Sequence, residues 1–191
     1  MKKVRNRKRN RINIPALILI SIVLFLIFQL LYFLQANIFP IIPLSGVTPN
    51  LFVIFVLVIG LYGNNFLAIL YGIICGIWID SLYGEVIGIT AAMLCLIGFI
   101  ATWFDTLWSK DEKISIIIMV ILSTLIFEFG TYFLKSIILE FELEIGIFFK
   151  ILFWEELYNV LLTIIFFGLI KKLGYMMERR LKRNNMYTVE L

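Results

Sequence analysis

From Ile14 to Leu34 the chain runs for more than 20 residues without a charged side chain. An α-helix needs about 20 such residues to cross the hydrocarbon of a bilayer. The run is too long for the apolar region of a secretory leader, which covers about 7–15 residues before small residues at a cleavage site. The next residues, Gln35-Ala36-Asn37-Ile38-Phe39-Pro40, make a poor site. The stretch therefore predicts an uncleaved membrane-spanning helix over 14–36, stopped by Asn37, Pro40 and Pro43. The rest of the chain is scarcely less apolar. Of 191 residues, 62% are hydrophobic, and the mean hydropathy is +1.01. Soluble domains hold about 45–50% apolar residues, and a surface this apolar would aggregate in water. The expected fold class is an all-α, polytopic membrane protein.

Charge sets the expected topology. Seven basic residues precede Ile14 and six follow Ile170, so 13 of the 17 lie at the two ends. Basic segments flanking apolar spans stay on the cytoplasmic side, so both termini are expected there and the number of spans is expected to be even. Six apolar stretches fit: 14–36, 51–61, 66–79, 86–104, 114–138 and 151–172. The second and third are short, and predict tilted helices, short helices or a re-entrant pair. Thr48-Pro49 reads as the N-cap and first residue of the second helix. Tyr62-Gly63-Asn64-Asn65 reads as the turn after it. The uncharged loop 37–48 is expected to lie along the interface, with Ile38, Phe39 and Ile41 near its start. Loop 105–113 is expected inside, with Trp103 and Trp108 in the interfacial belt, and acidic loop 139–150 outside. One membrane domain (14–172) thus lies between a basic N-terminal tail (1–13) and a basic C-terminal tail (173–191). Such tails set orientation or meet anionic lipid, and no nucleic-acid partner is expected.

Histidine is absent and the two cysteines, Cys75 and Cys95, sit in apolar stretches. That removes the commonest general base and metal ligand. There is no P-loop, dinucleotide fingerprint or Cys/His metal spacing. No catalytic, cofactor-binding or metal site is expected, and the chain is read as a non-enzyme. Glu155-Glu156 echoes the paired glutamates of intramembrane CAAX-type proteases. Val160 stands where those carry arginine, and their histidines are missing.

Polar residues inside the spans carry the remaining information, because a charge at that depth is costly. Gly72, Gly76, Asp80, Gly84 and Gly88 recur at every fourth position, and residues four apart share a helix face. Small residues at that spacing admit another backbone. The stripe is either a helix-packing seam, with Asp80 satisfied by water or the Gly84 turn, or a partner interface that presents Asp80. A second group comprises Glu128, Lys135, Glu155, Glu156 and Asn159. Glu128 and Lys135, seven apart, share one face of the fifth span, and the glutamate pair opens the sixth. Lys135 is expected to pair with Glu155 or Glu156, as a structural ion pair or as part of a substrate or partner site.

The stretch Thr48–Phe104 resembles the MreD family of rod-shape-determining membrane proteins. Pro49-Asn50-Leu51 stands where the family more often has Pro-Asp-Leu, and the Gly72…Gly76…Asp80 run with Gly84 and Gly88 comes after it. The resemblance implies a non-enzymatic component of the cell-elongation machinery in the bacterial plasma membrane. It implies association with MreC, and through it with MreB, RodA and a class B transpeptidase that build peptidoglycan. It further implies a fold like that of the substrate-binding subunits of energy-coupling-factor vitamin transporters. A vitamin-binding subunit is the second reading, with Trp78, Asp80, Glu128, Glu155 and Asn159 as pocket residues, and a carrier of lipid or cell-wall precursors is the third.

Overall fold

The computed structural model describes residues 14–83, 86–107, 109–140 and 144–186. They form six α-helices: α1 (Ile14–Phe33), α2 (Leu51–Tyr62), α3 (Asn65–Tyr83), α4 (Ile89–Leu107), α5 (Lys113–Leu139) and α6 (Ile145–Met186). Four are long and apolar enough to cross a membrane, and α2 and α4 are shorter apolar helices. The chain is a multi-helix membrane protein.

α1 does not stop at its last α-helical residue. It widens into a π turn over Leu34–Ile38 and tightens into a 3-10 turn over Phe39–Ile41. The Asn37 side-chain amide donates to the Phe33 carbonyl at 3.0 Å, and Pro40 brings no N–H to extend the helix. In loop 37–48, Ile41 is 77% exposed, whereas Phe39 is buried against Tyr158.

α2 is the centre of the bundle. Every one of its residues except Val58 is buried, and it touches each of the other five helices. A helix buried on all sides carries apolar residues all round, and its sequence LFVIFVLVIGLY does so. The turn to α3 takes only Gly63 and Asn64. The Asn64 side chain caps α3 by accepting from the Leu67 N–H at 2.8 Å.

α3 and α4 form the closest pair of helices, and small residues make it so. A β-carbon on Gly72 would lie 2.6 Å from the Leu94 carbonyl oxygen, and one on Gly98 would lie 2.7 Å from that of Ala68. One on Gly76 would overlap the Ala91 backbone, and one on Gly60 of α2 would overlap Ala101 of α4. Without these side chains the backbones come close enough for dense van der Waals packing, which is what holds helices together in lipid. Outward faces are apolar: Leu26, Phe153 and Ile165 are 62%, 62% and 70% exposed, and lipid solvates them.

Three expectations need correction. The third span is not short: α3 runs on through Asp80 to Tyr83, because Asp80 is folded into the protein. The connection after the fifth span is much shorter than 139–150, since α5 reaches Leu139 and α6 starts at Ile145. Lastly, the sixth helix does not end at 172: residues 173–186 continue α6, which is 42 residues long.

Gly76→Ala is expected to lower the melting temperature of the detergent-purified chain by several degrees, as overpacking costs about 1–3 kcal/mol. Gly168→Ala, on an open stretch of α6, is expected to leave it unchanged or slightly higher. Equal melting of the two variants would show that α3 and α4 do not pack backbone to backbone at Gly76.

Candidate functional site

The first residues of α2 pose a problem that builds the site. A 12-residue helix is about 18 Å long, against about 30 Å of bilayer hydrocarbon. Its C-terminal end meets the 109–112 connection through Lys110, and its N-terminal end packs against α6 and the π turn after α1. The first N–H groups of a helix have no partner within it, and burial among apolar residues makes an unpaired one costly.

Side chains from three helices answer this need. Asn159 of α6, fully buried, accepts from the Asn50 N–H at 2.8 Å. Gln35, in the π turn after α1, accepts from the Leu51 N–H at 3.0 Å. Asn50 is itself the N-cap, with its side-chain oxygen 3.4 Å from the Val53 nitrogen. The helix therefore starts two residues later than Thr48-Pro49 suggested, with an asparagine, a stronger cap than threonine. Asn159 is held in place from its other side: its amide donates to Thr124 of α5 at 3.1 Å, and its backbone carbonyl accepts from the Thr163 hydroxyl at 2.7 Å.

Carboxyl groups complete this end. Glu128 of α5 and the buried Glu155 of α6 are neighbours here, beside Asn50. Acidic groups at this position complement the positive end of the α2 dipole. Lys135 acts electrostatically on Glu128. Both Glu156 oxygens are buried without a hydrogen-bond partner, so Glu156 makes no hydrogen bond to Lys135. The second predicted group, Glu128, Lys135, Glu155, Glu156 and Asn159, thus gathers on the facing sides of α5 and α6. Its centre is the start of α2.

The opposite end of α2 is matched by positive charge. The Lys110 ammonium donates to the Leu61 carbonyl at 3.0 Å and to Glu178 of α6 at 3.2 Å. The Tyr62 hydroxyl donates to the Lys110 carbonyl at 3.1 Å. Lys171 donates to the Asp111 carbonyl at 2.9 Å, and the Tyr175 hydroxyl donates to the Asp111 carboxylate. A cation on the last carbonyls of a helix is favourable for the same dipole reason.

Asp80 performs a third capping job. It is 3% exposed, and its carboxylate accepts from the backbone N–H groups of Gly88, Thr90 and Ala91 at 2.8, 3.3 and 3.3 Å. These are the free donors at the start of α4. Gly88 belongs to the turn and not to the packing face. Its φ of +106° is one that glycine adopts without strain. Gly84 lies outside the described residues. Gly72, Gly76 and Asp80 therefore all face α4 of the same chain, and the space they open is filled by it.

The family model described as rod shape-determining protein MreD matches residues 12–176. The chain belongs to the MreD family. No curated protein and no solved structure matches it. In this MreD-family chain the two elements that carried the sequence resemblance have defined jobs: Asn50 caps α2 and Asp80 caps α4. An aspartate in place of Asn50 would also be a strong cap, but it would add a third carboxylate beside Glu128 and Glu155.

Sequence reading missed Gln35, Thr124 and Thr163. A Gln at the end of an apolar run looks like a span boundary, and Thr is common in membrane helices. Only the four-residue spacing of Asn159 and Thr163 on α6 offered a signal.

Asp80→Ala is expected to destabilise the fold by about 2–3 kcal/mol, since buried donors lose a charged acceptor. Asp80→Asn, which keeps one acceptor oxygen, should lose about half as much. Denaturation midpoints in mild detergent would measure both, and a neutral Asp80→Ala would remove the carboxylate from the cap of α4.

Proposed function

We propose that this chain is a non-enzymatic scaffold of the cell-elongation machinery, embedded in the plasma membrane with both termini cytoplasmic. It would work with MreC, and through it with MreB, RodA and a class B transpeptidase. The match to the rod-shape-determining MreD family over residues 12–176 carries this reading. The polar chemistry of the bundle is consistent with a structural role. Asp80, Asn159, Gln35 and Lys110 each cap a helix end, and a rigid helical body is what a scaffold requires.

The vitamin-transporter alternative draws less support. A cavity of about 300 Å³ lies beside the π turn, lined by Tyr32, Gln35, Ala36, Pro40, Phe52 and Ile79. A second, of about 490 Å³, is lined by Trp78 with Ile74, Ile77, Ser81 and Leu82, and none of Asp80, Glu128, Glu155 and Asn159, the polar residues proposed for a vitamin, lines either.

Depleting the protein in its host is expected to turn rods into swollen or round cells within a few generations, seen by phase contrast, with vitamin uptake unchanged. Rods of normal width and length after depletion would overturn the reading.

A further inference from the structure

α6 is longer than a membrane crossing needs. At about 1.5 Å per residue, the helix of 42 residues is about 63 Å long, twice the hydrocarbon thickness. Its far part is fixed to the bundle on one side. Glu178 holds Lys110, Tyr175 holds Asp111, Tyr175 packs edge-on against Tyr62, and Met177 is buried in the core.

The opposite side of this segment is open and basic. Lys172, Met176, Arg179 and Arg180 are all exposed. Their positions continue the lipid-facing stripe of the same helix. Ile165 and Leu169 are 70% and 51% exposed, and the series 165, 169, 172, 176, 179 advances by four and three residues, which keeps one face. The face that meets acyl chains therefore becomes cationic just where the apolar segment ends. Met176, 46% exposed between the charges, gives the stripe an apolar contact at the same level. A site for a soluble acidic protein would have no need to share the azimuth of the acyl-chain stripe. A site for headgroups must share it.

We propose that Lys172, Arg179 and Arg180, arranged around Met176, form a docking face for anionic lipid headgroups of the cytoplasmic leaflet. This rests on the cytoplasmic placement of the C-terminus in the elongation reading. Basic side chains held near a membrane surface attract anionic lipid, and long side chains lie along apolar surface while their charges reach the headgroups. Because the contacts to Lys110 and Asp111 hold the segment against the bundle, lipid bound here lies across α6 from the C-terminal end of α2.

The test uses the full chain reconstituted in phosphatidylcholine vesicles. Electron spin resonance of chain-labelled phosphatidylglycerol and phosphatidylcholine measures the fraction of each that the protein immobilises. The wild type is expected to prefer phosphatidylglycerol by about five-fold, the effect of roughly one basic side chain per headgroup. The preference should shrink towards none in roughly 0.5 M salt, as screening shortens the reach of the charges. The Lys172→Gln/Arg179→Gln/Arg180→Gln variant should lose at least half of it, the remainder belonging to the seven basic residues before Ile14, and Lys150→Gln, at the other end of α6, should leave it intact. No preference in the wild type, or an equal loss in Lys150→Gln, would overturn the proposal. If the triple variant does not fold, Arg179→Gln/Arg180→Gln, which changes only exposed side chains, decides the matter: a preference equal to the wild type's would overturn the proposal. Depletion phenotypes do not enter this measurement, so its failure and that of the elongation reading are separable.

Discussion

A helix that begins inside a membrane protein must find partners for its first N–H groups without water. Much of this structure answers that requirement at α2. Its 12 residues are nearly all buried, so its sides need only apolar packing, but its ends need polar groups at fixed positions. Asn159, Gln35 and Asn50 serve the start, and Lys110 serves the end. Those four side chains come from the turn after α1, the start of α2, α6 and the α4–α5 connection. To deliver them, the surrounding elements must pack around α2 in one arrangement. Charge obeys the same logic, with carboxyl groups at the positive end of the helix dipole and an ammonium at the negative end.

α3 and α4 solve a related problem by other means. Small residues bring the two backbones together, and the carboxylate of Asp80 then reaches the free N–H groups that open α4. The close approach and the cap depend on each other. A wider α3–α4 separation would leave Asp80 buried without its donors, and loss of Asp80 would leave those donors buried without an acceptor. The four-residue spacing is thus a device of internal architecture.

The sequence showed what is periodic or compositional and concealed what is paired over long distances. Apolar runs and the charge at the two ends gave the class of fold and the places of six helices. The Gly-x-x-x-Gly spacing gave the packing face of α3, yet nothing in it names α4 as the partner, because Ala91 and Gly98 are unremarkable in an apolar run. The grouping of Glu128, Glu155 and Asn159 was visible from the short α5–α6 connection. Their common neighbour, the start of α2, was not, since Asn50 and Asn159 are separated by 109 positions. The length of α6 was misread at both ends for one reason. Charges at 140–150 and beyond 170 look like loop and tail, whereas contacts such as Glu178 with Lys110 keep the last turns of the helix against the bundle.

The same 109-residue separation bears on how the protein is made. A ribosome delivers α2 to the membrane long before Asn159 exists, and Lys110 arrives 49 residues after Leu61. During that interval α2 is too short to settle as an independent span, and Asn159 and Lys110, two of the four side chains that cap it, are missing. Complete capping of α2 therefore waits on synthesis of the C-terminal half. α2 has to be sheltered, by its neighbours α1 and α3 or by the insertion machinery, until α5 and α6 close around it.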